Sequence, residues 1–141
     1  MNVYTTDKIR NVVLLGHSGS GKTSLAEAMG YLAGLTSRMG KVDDGNTISD
    51  YSKEEIKRKI SLSTSVIPLE WEGIKINILD APGAFDFVGE VEEAVSAADA
   101  AIIVVSGKAG IEVGTEKAWD LCEKYKIPRM FFVTEMDIDN A

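Results

Sequence analysis

One cysteine, one histidine and no basic excess are the first constraints that this 141-residue chain sets. Cys122 has no second thiol to pair with, and no zinc-ligand spacing surrounds it, so disulfide scaffolds and structural zinc are excluded and a reducing, cytoplasmic setting is expected. Its ordinary role is that of a small buried apolar side chain. The formal charge of −7, from 15 basic and 22 acidic side chains, supplies no broad basic surface for non-specific nucleic-acid binding. Long hydrophobic runs are missing too. The longest, from Ala97 to Val105, is interrupted by Asp99 and is far too short to cross a bilayer, and no signal-like segment opens the chain, so no membrane partner is expected. Internal repeats, low-complexity tracts and interdomain linkers are likewise absent from the sequence. With 45% hydrophobic residues, the length suits one domain with one core.

What is present is an alternation of strands and helices. Val12 to Leu15 is an apolar run that ends at Gly16, and from Ser24 to Ala33 the residues Leu25, Ala28, Met29 and Leu32 recur at helical spacing. Residues 34 to 60 are polar, with no sustained period, and read as a long mobile loop that holds at most a short helical piece. Its position after the first helix marks it as a switch segment. Strands are expected over 61 to 69 and 74 to 79, joined antiparallel through Glu70-Trp71-Glu72-Gly73. A helix from about Val88 to Ala98 follows, then a buried strand over Ala101 to Val105. Next come a helix from about Val113 to Tyr125 and a buried strand from Arg129 to Thr134 after Pro128. Trp71 is expected as a turn anchor and Trp119 as a core contact. This order predicts an α/β fold with a mostly parallel, three-layered sheet and one antiparallel hairpin strand.

Gly16-His17-Ser18-Gly19-Ser20-Gly21-Lys22-Thr23 satisfies every fixed position of G-x-x-x-x-G-K-S/T, between a strand and a helix that opens at Ser24. The glycines let the backbone wrap phosphates with several N–H groups pointing inward, and the helix adds the positive end of its dipole. Lys22 is expected to reach the β- and γ-phosphates, and the Thr23 hydroxyl to ligate Mg²⁺. His17 is read as structural, and Ser18 and Ser20 as small loop residues. Asp80-Ala81-Pro82-Gly83 places a carboxylate at a strand end, where Asp80 can hold Mg²⁺ through water and the Gly83 amide can meet the γ-phosphate. Thr134-Glu135-Met136-Asp137 follows the last strand, where GTPases carry Asn-Lys-x-Asp. Asp137 alone matches, and its two acceptors suit the guanine N1–H and 2-amino group. Glu90, Glu92 and Glu93 read as a solvated helix face rather than as paired catalytic carboxylates.

Motifs in this order resemble the translational GTPases, and nearly the whole chain is similar to the N-terminal part of elongation factor G and its divergent paralogues. Gly40-Lys41-Val42-Asp43-Asp44-Gly45, Asp50-Tyr51 and Ile60-Ser61-Leu62 run in register with that family's switch I. Phe85-Asp86-Phe87, Glu90-Val91-Glu92, Trp119 and Lys124-Tyr125-Lys126-Ile127-Pro128-Arg129 match later segments. The resemblance implies that Ser61 supplies the switch I hydroxyl to Mg²⁺, that GTP and GDP are the ligands, and that the full-length protein works on the ribosome. It also implies that residues 1 to 141 are the N-terminal portion of a G domain, so that the isolated chain is expected to self-associate through the truncated sheet edge or to bind nucleotide poorly. Two departures stand out. Ala84 occupies the place of the histidine that orients the attacking water, so no residue is assigned as catalytic and intrinsic hydrolysis is expected to be slow. Gly19 replaces an acidic loop residue. The alternative function is a non-hydrolysing, GTP-dependent ribosome-protection or regulatory protein; a small-molecule P-loop kinase ranks behind both.

Overall fold

The computed structural model describes residues 2–137, with Phe85 by its main chain alone. Five strands form one sheet in the order β2-β3-β1-β4-β5. These are β1 (Ile9–Leu15), β2 (Ser65–Trp71), β3 (Ile74–Asp80), β4 (Ala100–Ser106) and β5 (Arg129–Thr134). β1, β3, β4 and β5 run parallel, and β2 pairs antiparallel with β3. The helices are α1 (Lys22–Leu32), the short α2 (Lys53–Arg58), α3 (Val88–Ala97) and α4 (Val113–Tyr125). The expected α/β architecture, with its single antiparallel strand, is therefore present.

Successive side chains of a strand face opposite sides, and the apolar run of β1 feeds both. Val13 and Leu15 pack with Leu79, Val95, Ile103, Ala118 and the buried Cys122, a cluster covered by α3 and α4. Leu14 packs with Ala26, Ile67, Leu69 and Ile78 beneath α1. Fully burying each such aliphatic side chain contributes about 1.5–3 kcal/mol. A central strand covered on both faces must be apolar throughout, which is why β1 reads as a run and not as an alternation. It also fixes where the loops lie. In register, Leu14 sits opposite Asp80 and Leu15 opposite Ile103, so the loops leaving β1 and β3 open side by side at one sheet edge. Helices depart from β1 and β3 to opposite faces, making this the crevice where open α/β sheets take ligands.

Several boundaries differ from expectation. The first hairpin strand begins at Ser65, not at residue 61, because the donors of residues 61–64 are taken by carboxylates before the ladder starts. Its turn narrows to Glu72 and Gly73, both at positive φ, the geometry of a tight two-residue hairpin. Residues 34 to 60 are more ordered than a mobile loop. They hold a single 3-10 turn at Val42–Asp44 and α2, capped by Ser52 and Glu55 in a reciprocal box. Glu27 of α1, itself buried, accepts the backbone N–H groups of Gly40 and Ile48, and Glu55 accepts those of Ser52, Leu62 and Ser63. The hidden signal was polar: acids satisfying backbone donors leave no apolar period to detect.

The strand at 129–134 is not buried as its composition alone suggests; it lies at a sheet edge among the described residues, as the truncated-edge expectation had it. β5 pairs only with β4 among the described residues, and Met130, Phe131, Phe132 and Val133 are each exposed. Trp119 lies on this open side and not in the core. Its ring stacks on Phe131 at 5.8 Å, with the Arg129 guanidinium 3.6 Å from the ring centre. Trp71 ends β2 beside the tight turn, half exposed.

Candidate functional site

The loop between β1 and α1 is shaped by contacts that only glycine permits at two points. Gly16, at φ +140°, would bring a Cβ to 2.3 Å from the Val104 carbonyl oxygen, and Gly83 would bring one to 2.4 Å from the Lys22 ammonium. Gly83 thus lies directly against the phosphate loop, joining two motifs about 60 residues apart in sequence. Within the loop, the buried Lys22 Nζ donates to the carbonyl oxygens of Gly16 at 3.0 Å and His17 at 2.7 Å. Burial lowers the Lys22 pKa to about 8, against the opposing charges of Asp80 and Glu112. A cation stripped of water in this way gains strongly from an incoming anion.

At the first turn of α1, Thr23 Oγ1 donates to Asp80 Oδ2 at 2.9 Å and lies 3.2 Å from Ser61 Oγ. Ser61 Oγ in turn donates to Asp50 Oδ1 at 2.7 Å. Three residues expected at a metal are therefore gathered in one place, with Asp50 as a fourth that the motifs did not single out. Asp50 is buried, and burial raises its pKa against the Ser61 hydrogen bond. Burial likewise pushes the Asp80 carboxyl up to about 6, opposed by the Thr23 hydroxyl and the Lys22 charge. Asp80 Oδ1 is buried without a well-formed hydrogen bond among the described residues, with the Ser49 hydroxyl nearby. An incompletely bonded carboxylate oxygen beside two hydroxyls is an all-oxygen donor set of the kind that suits Mg²⁺.

Two hollows flank the loop. One, of about 260 Å³, is lined by Ser18, Gly19, Gly21, Lys22, Thr23, Ser24, Asp50, Ser61 and Gly83, and is roofed by Val42, Asp43, Lys59 and Ile60. Lys59 Nζ donates to Asp43 at 2.8 Å across that roof. The other, of about 470 Å³, shares Gly19, Gly21 and Ser24 with the first and extends to Phe132, Thr134, Glu135 and Asp137. Thr134 does not point into it freely; its hydroxyl donates to the Ser20 carbonyl at 2.7 Å and so ties the end of β5 to the phosphate loop. Asp137 is exposed at the rim. Because the two hollows share Gly19, Gly21 and Ser24, a single ligand could span both.

Ser20 is buried, with its hydroxyl unpartnered among the described residues. His17 turns away from the phosphate side. Its Nδ1 accepts the Gly114 N–H at 3.3 Å, and its Nε2 lies 3.5 Å from Glu112 Oε1, which docks the loop onto the start of α4. Ala84 precedes a single 3-10 turn at Phe85–Phe87 and places a methyl group in a small cavity of about 80 Å³ with Pro82, Val88, Val91 and Leu121. Glu90 corrects an expectation. It is not merely solvated, since its Oε2 accepts the Thr64 N–H at 3.0 Å. Glu92 does meet solvent, paired with Lys124.

Against known proteins, residues 7–141 match the model of the elongation factor Tu GTP binding domain. The chain is 42% identical over 138 residues to the mitochondrial ribosome-releasing factor 2 of Drosophila grimshawi, and 40% identical over 136 residues to that of Drosophila melanogaster. These alignments cover 98% and 96% of this chain but 19% and 18% of the relatives, so it spans about a fifth of their length. A crystal structure from Thermus thermophilus superposes with a TM-score of 0.90 at 48% identity, over 92% of this chain and 20% of that one. A bacterial selenocysteine-specific elongation factor shares the fold, with a TM-score of 0.77 at 24% identity, over 94% of this chain and 21% of that one.

Proposed function

This chain belongs to the elongation factor Tu GTP binding domain family, and on that premise we propose that it is the nucleotide-binding portion of an elongation factor G-type protein that binds GTP and hydrolyses it slowly on the ribosome. The observation that carries this is the convergence of Lys22, Thr23, Ser61 and Gly83 on one hollow, with the buried Asp80 bonded to Thr23 behind it. In this reading residues 1–141 are the N-terminal portion of the G domain. Its relatives are named as ribosome-releasing factors, which favours a factor acting on ribosomes over a protective binder.

The chemistry follows from charge and position. Lys22 and the inward N–H groups of the loop hold the phosphates, and the Thr23 and Ser61 hydroxyls with the Asp80 carboxylate would hold Mg²⁺, which neutralises phosphate charge when bound. Gly83 lies against Lys22, where its N–H would meet a terminal phosphate. Asp137 selects guanine at the rim of the wider hollow, with Thr134 fixing the strand end that carries it. At Ala84 a methyl group can neither orient nor polarise water, so binding and cleavage part company there. Ser61 and Gly83 sit on separate segments that a γ-phosphate would draw together, the physical basis of a nucleotide-timed switch.

The compartment we propose is the cytoplasm, from the lone thiol, although the relatives named above are mitochondrial proteins. None of the described helices is long and apolar enough to cross a membrane. As a 141-residue piece the chain would self-associate through β5, whose exposed Met130 and Phe132 make an adhesive edge; light scattering that shows only monomer would contradict this. The functional test is hydrolysis by the intact protein with and without ribosomes, GTP beside ATP. Ribosome-stimulated release of phosphate from GTP alone supports the proposal, and equal use of ATP would contradict it.

A further inference from the structure

Four consecutive residues hand their donors to carboxylates. Ser61 Oγ donates to Asp50, the Leu62 and Ser63 N–H groups to Glu55 Oε1, and the Thr64 N–H to Glu90 Oε2. Asp50 and Glu55 belong to the same segment as their donors. Glu90 does not. It lies in the first turn of α3, the helix entered from Gly83 and Ala84. A second bond doubles the link, as Thr64 Oγ1 donates to the Glu90 carbonyl oxygen at 3.2 Å.

The consequence is geometric. Three residues before Thr64, Ser61 stands 3.2 Å from Thr23 Oγ1. Seven residues before Glu90, Gly83 abuts Lys22. The two segments that touch the phosphate loop are therefore clamped to each other at a second point, away from the hollow. The fold does not need this clamp, because α3 is already held by buried Ala94 and Val95, and β2 by its full ladder with β3. We propose that Glu90 is a positioning residue that couples Ser61 to the Gly83–Ala84 loop, so that ordering either segment on a triphosphate lowers the cost of ordering the other. This deepens the guanine-nucleotide reading and rests on it.

The test measures affinity of the intact protein for GDP and for a non-hydrolysable GTP analogue, both with Mg²⁺. Glu90→Ala is expected to lower the preference for the analogue over GDP by about tenfold, while GDP affinity stays near that of the unsubstituted protein. Glu90→Gln retains an acceptor for the Thr64 N–H and should restore most of the preference. Thr64→Val removes only the hydroxyl bond and should shift the ratio by about threefold, which keeps the proposal testable if the alanine variant folds poorly. Amide exchange at residues 62–64 should slow on analogue binding and lose that protection in Glu90→Ala. An unchanged ratio in Glu90→Ala and Thr64→Val overturns the coupling. So does an equal loss of both nucleotides in Glu90→Ala and Glu90→Gln, the result of a merely structural role. If the unsubstituted protein bound neither nucleotide, the parent reading would fall and the coupling with it.

Discussion

The loops leaving β1 and β3 start from neighbouring, in-register strand ends, yet they meet their shared chemistry unequally. In the first, every position needed to hold phosphate is filled, from Gly16 through the buried Lys22 to Thr23. In the second, Asp80 and Gly83 are in place beside those groups, but the next residue is Ala84, a methyl group against an apolar cavity. In the function proposed above, holding a nucleotide and cleaving it are separable properties of adjacent turns. In the proposed reading, binding uses groups already buried and oriented by the fold, whereas water activation needs one further polar side chain that Ala84 does not supply.

The contrast can be broken from either side. The largest expected effect is on rate: Ala84→His should raise single-turnover GTP hydrolysis on ribosomes by about 10²- to 10⁴-fold, with nucleotide affinity nearly unchanged. Quench-flow measurement on both proteins checks this, and equal rates would mean that cleavage never depended on that position. Next is Lys22→Ala, which removes the buried cation and should weaken GTP and GDP binding by about 100-fold, measured by calorimetry. Asp137→Ala should cost about tenfold or more in the preference for GTP over ATP, read by competition against a fluorescent guanine nucleotide; an unchanged preference would place base recognition elsewhere.

The smallest effect is in pH. Burial holds the Lys22 pKa at about 8, below the ordinary 10.5, and phosphate favours the charged ammonium. Binding must then raise that pKa, so protons are taken up on binding from about pH 8 up to the pKa of the phosphate-bound ammonium, and affinity declines as the pH rises through about 8. Below about pH 7 this group contributes no uptake. Calorimetry at about pH 8.5 in two buffers of different ionisation enthalpy reads the proton directly, and Lys22→Ala should abolish it.

How far the sequence carried these conclusions varied with the kind of force involved. Apolar patterning and glycine placement made β1, the phosphate loop, α1 and α4 legible, because burial on two faces and tight turns leave few residue choices. Carboxylate-to-backbone bonds leave no period, so the ordering of residues 40–64 by Glu27, Glu55 and Glu90 was invisible, and Ser61 was mistaken for the start of a strand. Asp50 carried a signal only in its neighbourhood with Tyr51, which the resemblance had flagged without a role. For β5 the local composition is that of a buried strand; its place at the sheet edge among the described residues is legible only through the family resemblance, because topology is contained in no local window. Thr134 was placed near the nucleotide by motif spacing, but its bond to Ser20 is a tertiary fact.

The central claim is that this site holds GTP and is slow to cut it. A single measurement on the intact protein, following radiolabelled GTP bound in equimolar ribosome complexes through one turnover, tests it most directly. Saturable GTP binding is expected with a cleavage rate of about 0.1 s⁻¹ or lower, against the ~10 s⁻¹ common among enzymes. Cleavage at about 10 s⁻¹ or faster with Ala84 in place would contradict it.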